Sequence, residues 1–114
     1  MQAEVKAIQA NDILLWPAWE PTHPADEFQW FTVYIGVLDE AGADSFQVAV
    51  ATPQGLKQRR SKTPFVGLVV PTFTPETVED TIRAFVARVE APTWHGIAEQ
   101  LAPTMRWEFT DYRP

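Results

Sequence analysis

An α+β fold is predicted: a mostly antiparallel sheet of about five strands with two consecutive helices packed on one face. Three observations predict it. Runs rich in aromatic and β-branched residues fill the first half of the chain, two amphipathic helical runs then follow each other with no strand between them, and an alternating run closes the chain. That order differs from the strand–helix alternation of a parallel sheet. A chain of 114 residues fits one domain, residues 1–114, and a domain of this size buries roughly two-thirds of the surface its unfolded chain exposes.

The first element is a strand in Ala3-Glu4-Val5-Lys6-Ala7-Ile8, with Ala3, Val5 and Ala7 expected to face inward. Trp16-Pro17-Ala18-Trp19-Glu20-Pro21-Thr22-His23-Pro24-Ala25-Asp26-Glu27 follows as a long loop, because its three prolines remove ladder donors and favour extended or turn geometry. Two uses are open to its tryptophans: packing back on the core, or standing out as binding anchors.

Residues 28–52 read as the β-hairpin around which the rest is organised. Phe31, Val33, Ile35 and Val37 make a stripe suited to lie under helices, while Trp30, Thr32 and Tyr34 point the other way. On the return strand Phe46, Val48 and Val50 share one face, and Gln47, Ala49 and Ala51 the other. Asp39-Glu40-Ala41-Gly42-Ala43-Asp44 supplies the turn, Gly42 being best able to take a positive φ.

Beyond the hairpin, Thr52-Pro53-Gln54-Gly55-Leu56 breaks the sheet with room for one helical turn, Leu56 packing inward. Lys57-Gln58-Arg59-Arg60-Ser61-Lys62-Thr63-Pro64 is basic and aperiodic, and is expected to be the most mobile internal segment. Phe65-Val66-Gly67-Leu68-Val69-Val70 is expected to form a strand buried on both faces or nearly so.

Thr74-Pro75-Glu76 combines a hydroxyl N-cap, proline at the first helical position and an acid at the positive end of the helix dipole. Val78, Ile82, Phe85, Val86 and Val89 then recur at helical spacing, with Glu79 and Arg83 placed to pair at i,i+4. Pro92 ends that helix, and Thr93 caps a second one in which Trp94, Ile97, Ala98 and Leu101 form the buried stripe. His95 and Gly96 fall outside the stripe, and Pro103 stops the helix. Residues 105–112 make a last amphipathic strand with Met105, Trp107 and Phe109 on one face, and with both helices on one side of the sheet its other face stays partly open.

Charge narrows the partners. The net charge is −6, yet Lys57, Arg59, Arg60 and Lys62 sit together, leaving fifteen acids against five bases elsewhere. A phosphate backbone needs a broad basic footprint, so nucleic acid is not expected as a ligand, whereas a basic protein partner suits an acidic body. With no cysteine, disulfides, thiolate nucleophiles and cysteine-type zinc sites are excluded. The first residues lack a basic n-region, and Ile13-Leu14-Leu15-Trp16 is too short for a signal-peptide core or a membrane span. A cytoplasmic protein with no membrane partner is expected.

Catalytic constellations are hard to draw. Ser45 and Ser61 lie in no nucleophile elbow, and five scattered glycines make no phosphate cradle. His23 with Asp26 and Glu27 matches no standard metal spacing, and His95 beside Glu99 reads as a solvated i,i+4 pair. Glu76 with Asp80 sits at a helix N-terminus, where dipole and solvent keep both ionised. The chain is read as a non-enzyme, with no catalytic residue, metal or cofactor.

Several segments in order resemble a known family. They are Ile35-Gly36, the run Gly42-Ala43-Asp44-Ser45-Phe46-Gln47-Val48-Ala49-Val50-Ala51-Thr52-Pro53 followed by Leu56, Thr93-Trp94 with Ile97, Ala98 and Leu101, and Arg106-Trp107-Glu108-Phe109-Thr110-Asp111-Tyr112. From about Phe28 onward the chain is similar to the immunity protein 8 family of bacterial polymorphic toxin and contact-dependent growth inhibition systems. The resemblance implies a small cytoplasmic α+β protein that binds and neutralises one cognate toxin domain, a nuclease in many such systems, and it carries over no catalytic residue. The side chains expected to meet the toxin are Trp16, Trp19, Glu20, Asp26 and Glu27 on the loop, Asp39, Glu40 and Asp44 in the turn, and Glu76, Glu79 and Asp80 on the helix. Trp94, Trp107 and Phe109 are expected to be core. A monomer or weak dimer is expected. The rival reading is a small non-catalytic adaptor or subunit that binds another protein through its open sheet face.

Overall fold

Alternation in the hairpin decides the architecture. A computed structural model describes residues 1–59 and 64–109. Strands β1 (Ala3–Ala10), β2 (Phe28–Val37) and β3 (Asp44–Ala51) form an antiparallel meander with β2 in the middle. Helix α1 (Pro53–Gln58) leaves β3, and β4 (Leu68–Val69) returns to pair in parallel with Val50 and Ala51. After helices α2 (Pro75–Ala87) and α3 (Trp94–Leu101), β5 (Arg106–Trp107) pairs antiparallel with Phe46 and Gln47 on the same edge of β3. The fold is therefore α+β, as expected, with one parallel pair in a mixed sheet.

The period-two stripe of the hairpin faces the helices. Val33 lies opposite Phe46 and Phe31 opposite Val48 across the strands. Phe31, Val33, Ile35, Phe46, Val48 and Val50 are fully buried in one cluster with Val78, Ile82 and Val86 of α2 and Ile97 and Leu101 of α3. Each such side chain contributes about 1.5–3 kcal/mol relative to leaving it in water. All three helices start as their residues dictate: Thr52, Thr74 and Thr93 accept the backbone N–H of Gly55, Thr77 and Gly96. A threonine cap of this kind is worth about 1 kcal/mol. The turn after β2 places Gly42 at φ 94° as anticipated, and Asp39 at φ 65°. At α1, a side chain on Gly55 would collide with the carbonyl of Glu27, which itself accepts the Thr52 N–H at 3.0 Å.

Four expectations fail. Ala7 is exposed, because a bulge between Val5 and Ala7 shifts the alternation so that Ile8 and Ala10 turn inward opposite Val33 and Phe31. The run 65–70 is not a buried strand: pairing is limited to Leu68–Val69, and Val66 and Val69 are about half exposed while Val70 is fully buried. The closing strand is only Arg106–Trp107, followed by turn, so Phe109 is exposed. Trp94 and Trp107 are half-buried rather than enclosed in the core. The proposed continuation of that strand through residues 110–112, and the middle of the basic segment, residues 60–63, lie outside the described residues.

Candidate protein-binding surface

The long loop between β1 and β2 is pinned by its tryptophans. The Trp16 ring centroid lies 5.0 Å from that of Phe31, edge-on, and Trp19 meets Phe73 at 5.9 Å. Trp16 also donates its indole N–H to Glu79 Oε2 at 2.8 Å, tying the loop to the first half of α2. Glu79 is shared with Arg83 at 3.9 Å, the i,i+4 pair the spacing predicted. Glu20, Glu76 and Asp80 are exposed at this end, while Asp26 and Glu27 are half-buried beside the start of α1. There the Glu27 N–H donates to Thr52 Oγ1 at 3.1 Å, and Glu27 Oε2 accepts from Gln29 at 3.1 Å.

Asp39 and Glu40 are exposed at the other end of β2, where the Glu40 carbonyl accepts from Lys6 Nζ at 2.9 Å. Asp44 is different. Its Oδ2 accepts the indole N–H of Trp94 at 2.7 Å and that of Trp107 at 3.0 Å, so one carboxylate joins β3, α3 and β5. Glu108 adds a second stitch by accepting the Ser45 N–H at 2.7 Å. Three separate stretches that carry the family resemblance meet at this joint.

The eleven candidate side chains are thus split into two groups. Loop and α2 residues sit at the Phe28 end of β2, and turn residues at the Val37 end. A ten-residue strand puts those ends roughly 30 Å apart. Between them the outer face of the sheet carries Trp30 and Tyr34, both partly exposed, over a polar ladder. In it Thr32 donates to Asn11 at 2.8 Å, Asn11 to Gln47 at 2.9 Å and Gln47 back to Thr32 at 2.9 Å. This face is partly open: Ala49 and Ala51, on the same face as Gln47, are buried.

Sequence reasoning missed one feature. Leu14 and Leu15 are 88% and 83% exposed, the highest values for any large apolar side chain among the described residues. The flanking Ile13 and Trp16 pack on the core instead. No periodicity marks this switch, and only the positive φ at Leu15 betrays it.

Among the described residues no group of three or more His, Asp or Glu side chains could hold a metal ion, and every buried side-chain N or O has a hydrogen-bond partner. His95 pairs with Glu99 at 3.0 Å in the open. Among the described residues no helix is long and apolar enough to cross a membrane.

Comparison with protein families gives the class, an immunity protein: the family model described as Immunity protein 8 matches residues 3–112. The chain belongs to the immunity protein 8 family. No curated protein and no solved structure gives a match.

Proposed function

We propose that this chain binds one cognate bacterial toxin domain and neutralises it by direct contact, with no bond-making of its own. Family membership over residues 3–112 is the observation that carries the reading. A nuclease toxin finds its substrate in the cytoplasm, and there this chain would meet it. A nuclease suits an acidic partner best, because its basic substrate groove is drawn to carboxylates, which speed association and set specificity more than they set affinity. The contact lies at the loop end, around Glu20, Asp26, Glu27, Glu76 and Asp80, with Trp16, Trp19 and Glu79 holding that surface in shape. More of the candidate carboxylates not held by a tryptophan stand at the loop end than at the turn end, where Asp39 and Glu40 are the exposed pair, and this favours the loop end.

The test is co-expression with the toxin domain encoded beside this gene, followed by pull-down and growth rescue. Rescue with a stable complex is expected; toxicity unrelieved by a folded chain sinks the reading. Reversing Glu20, Glu76 and Asp80 to lysine should lower the association rate and flatten its salt dependence, whereas reversing Asp39 and Glu40 should leave both nearly unchanged.

A second reading has its own observation. Trp30 and Tyr34 stand on the open sheet face, where an adaptor or subunit would dock another protein. Gene neighbourhood separates the two, and so does Trp30→Ala with Tyr34→Ala, which should leave toxin binding intact and abolish adaptor binding.

A further inference from the structure

Leu14 and Leu15 are the most exposed large apolar side chains among the described residues, yet the backbone beneath them is tightly held. Trp16 and Trp19 pack on Phe31 and Phe73, the Ala18 N–H closes a turn on the Leu15 carbonyl at 2.7 Å, and Trp16 is tied to Glu79. Within that turn Leu15 takes φ 64°, a left-handed conformation that bulky side chains rarely adopt. A leucine pair held out of the core, with Leu15 in a costly backbone state and the flanking Ile13 and Trp16 packed against the core, is unfavourable unless another surface covers it.

The charges around the pair say which surface. Asp12 and Glu20 are exposed on the same loop, and the Trp16–Glu79 bond lays the loop against the half of α2 that exposes Glu76 and Asp80. Arg83 on the same helix is paired with Glu79. Carboxylates around an apolar pair repel a second copy of this acidic chain and attract a basic one. Resting on the toxin-binding reading above, we infer that Leu14 and Leu15 are the apolar anchor of the interface, inserted into a hydrophobic cleft of the toxin domain that is rimmed by lysine or arginine. A preorganised apolar centre ringed by polar groups is the usual anatomy of an interaction hot spot.

The experiment measures association and dissociation rates of the purified chain with the toxin domain encoded beside its gene. The variant is Leu14→Ser with Leu15→Asn, asparagine being chosen because it tolerates a positive φ and keeps the turn. A melting temperature equal to or above that of the parent shows that the fold is kept. Dissociation at least tenfold faster, with the association rate within about twofold, is expected, since anchors act on the off-rate and charges on the on-rate. Val69→Ser, a half-exposed apolar residue on β4, should bind as the parent does. A parent that binds and a double variant that binds equally well overturns the anchor while leaving the toxin reading intact. Equal loss in Val69→Ser, or a parent dimer that the leucine changes dissolve without affecting toxin binding, overturns it too. A parent chain that binds no toxin removes both.

Discussion

Two places in the molecule use the same device, a carboxylate accepting an indole N–H, and use it to different extents. At the loop end Glu79 takes one indole, Trp16, and shares itself with Arg83. At the turn end Asp44 takes two, Trp94 and Trp107, from two different elements. The first bond fastens a loop to a helix, and the second closes the tertiary structure between α3, β5 and the start of β3. An acid in this chain is therefore not automatically a surface charge on offer to a partner. Asp44 and Glu79 already have internal work, and Glu20, Glu76 and Asp80 do not among the contacts described.

Phe31→Ala removes the ring against which both Trp16 and the hairpin core pack, and should cost about 3–5 kcal/mol, a large part of a total near 5–15 kcal/mol. Urea unfolding should show the midpoint falling steeply, and an unchanged midpoint would refute the core assignment. Asp44→Ala orphans two half-buried indole donors and should cost about 2–4 kcal/mol, with Asp44→Asn losing about half as much because an acceptor remains. If the Asp44 and Trp94 substitutions add independently in a double-mutant cycle, the joint does not exist.

Smaller effects sharpen the contrast. Glu79→Ala should cost about 1–2 kcal/mol, reflecting one bond rather than two, and should speed amide exchange in the loop without affecting β5. His95→Ala should change stability by less than about 0.5 kcal/mol, because its pair with Glu99 is solvent-exposed on both sides. Thermal melts of Glu79→Ala and His95→Ala side by side would show whether that ranking holds.

How far the sequence could be read depended on the length scale of the signal. The hairpin faces of β2 and β3, the threonine caps at 74 and 93, and the Glu79–Arg83 pair were legible, because strand alternation, N-capping and i,i+4 spacing act within a few residues. The phase slip at Lys6 was not, since a bulge depends on what the neighbouring strand offers. Nor was the brevity of β4 and β5: both dock on the single free edge of β3, and that edge is divided between them. Among the site residues, the sequence named Asp44 and Glu79 as acids but could not see the tryptophans they hold, which lie 50 and 63 residues away along the chain.

By itself the sequence determined the class of fold, the inner face of the hairpin, the helix starts and the acidic character, because each follows from residue type and local spacing. The folded structure settles which acids are spent on tryptophans, which end of the sheet gathers more of the free ones, and that Leu14 and Leu15 face water while Ile13 and Trp16 pack against the core. Those outcomes turn on contacts between distant segments, and no local pattern encodes which of several equivalent side chains will find its partner first.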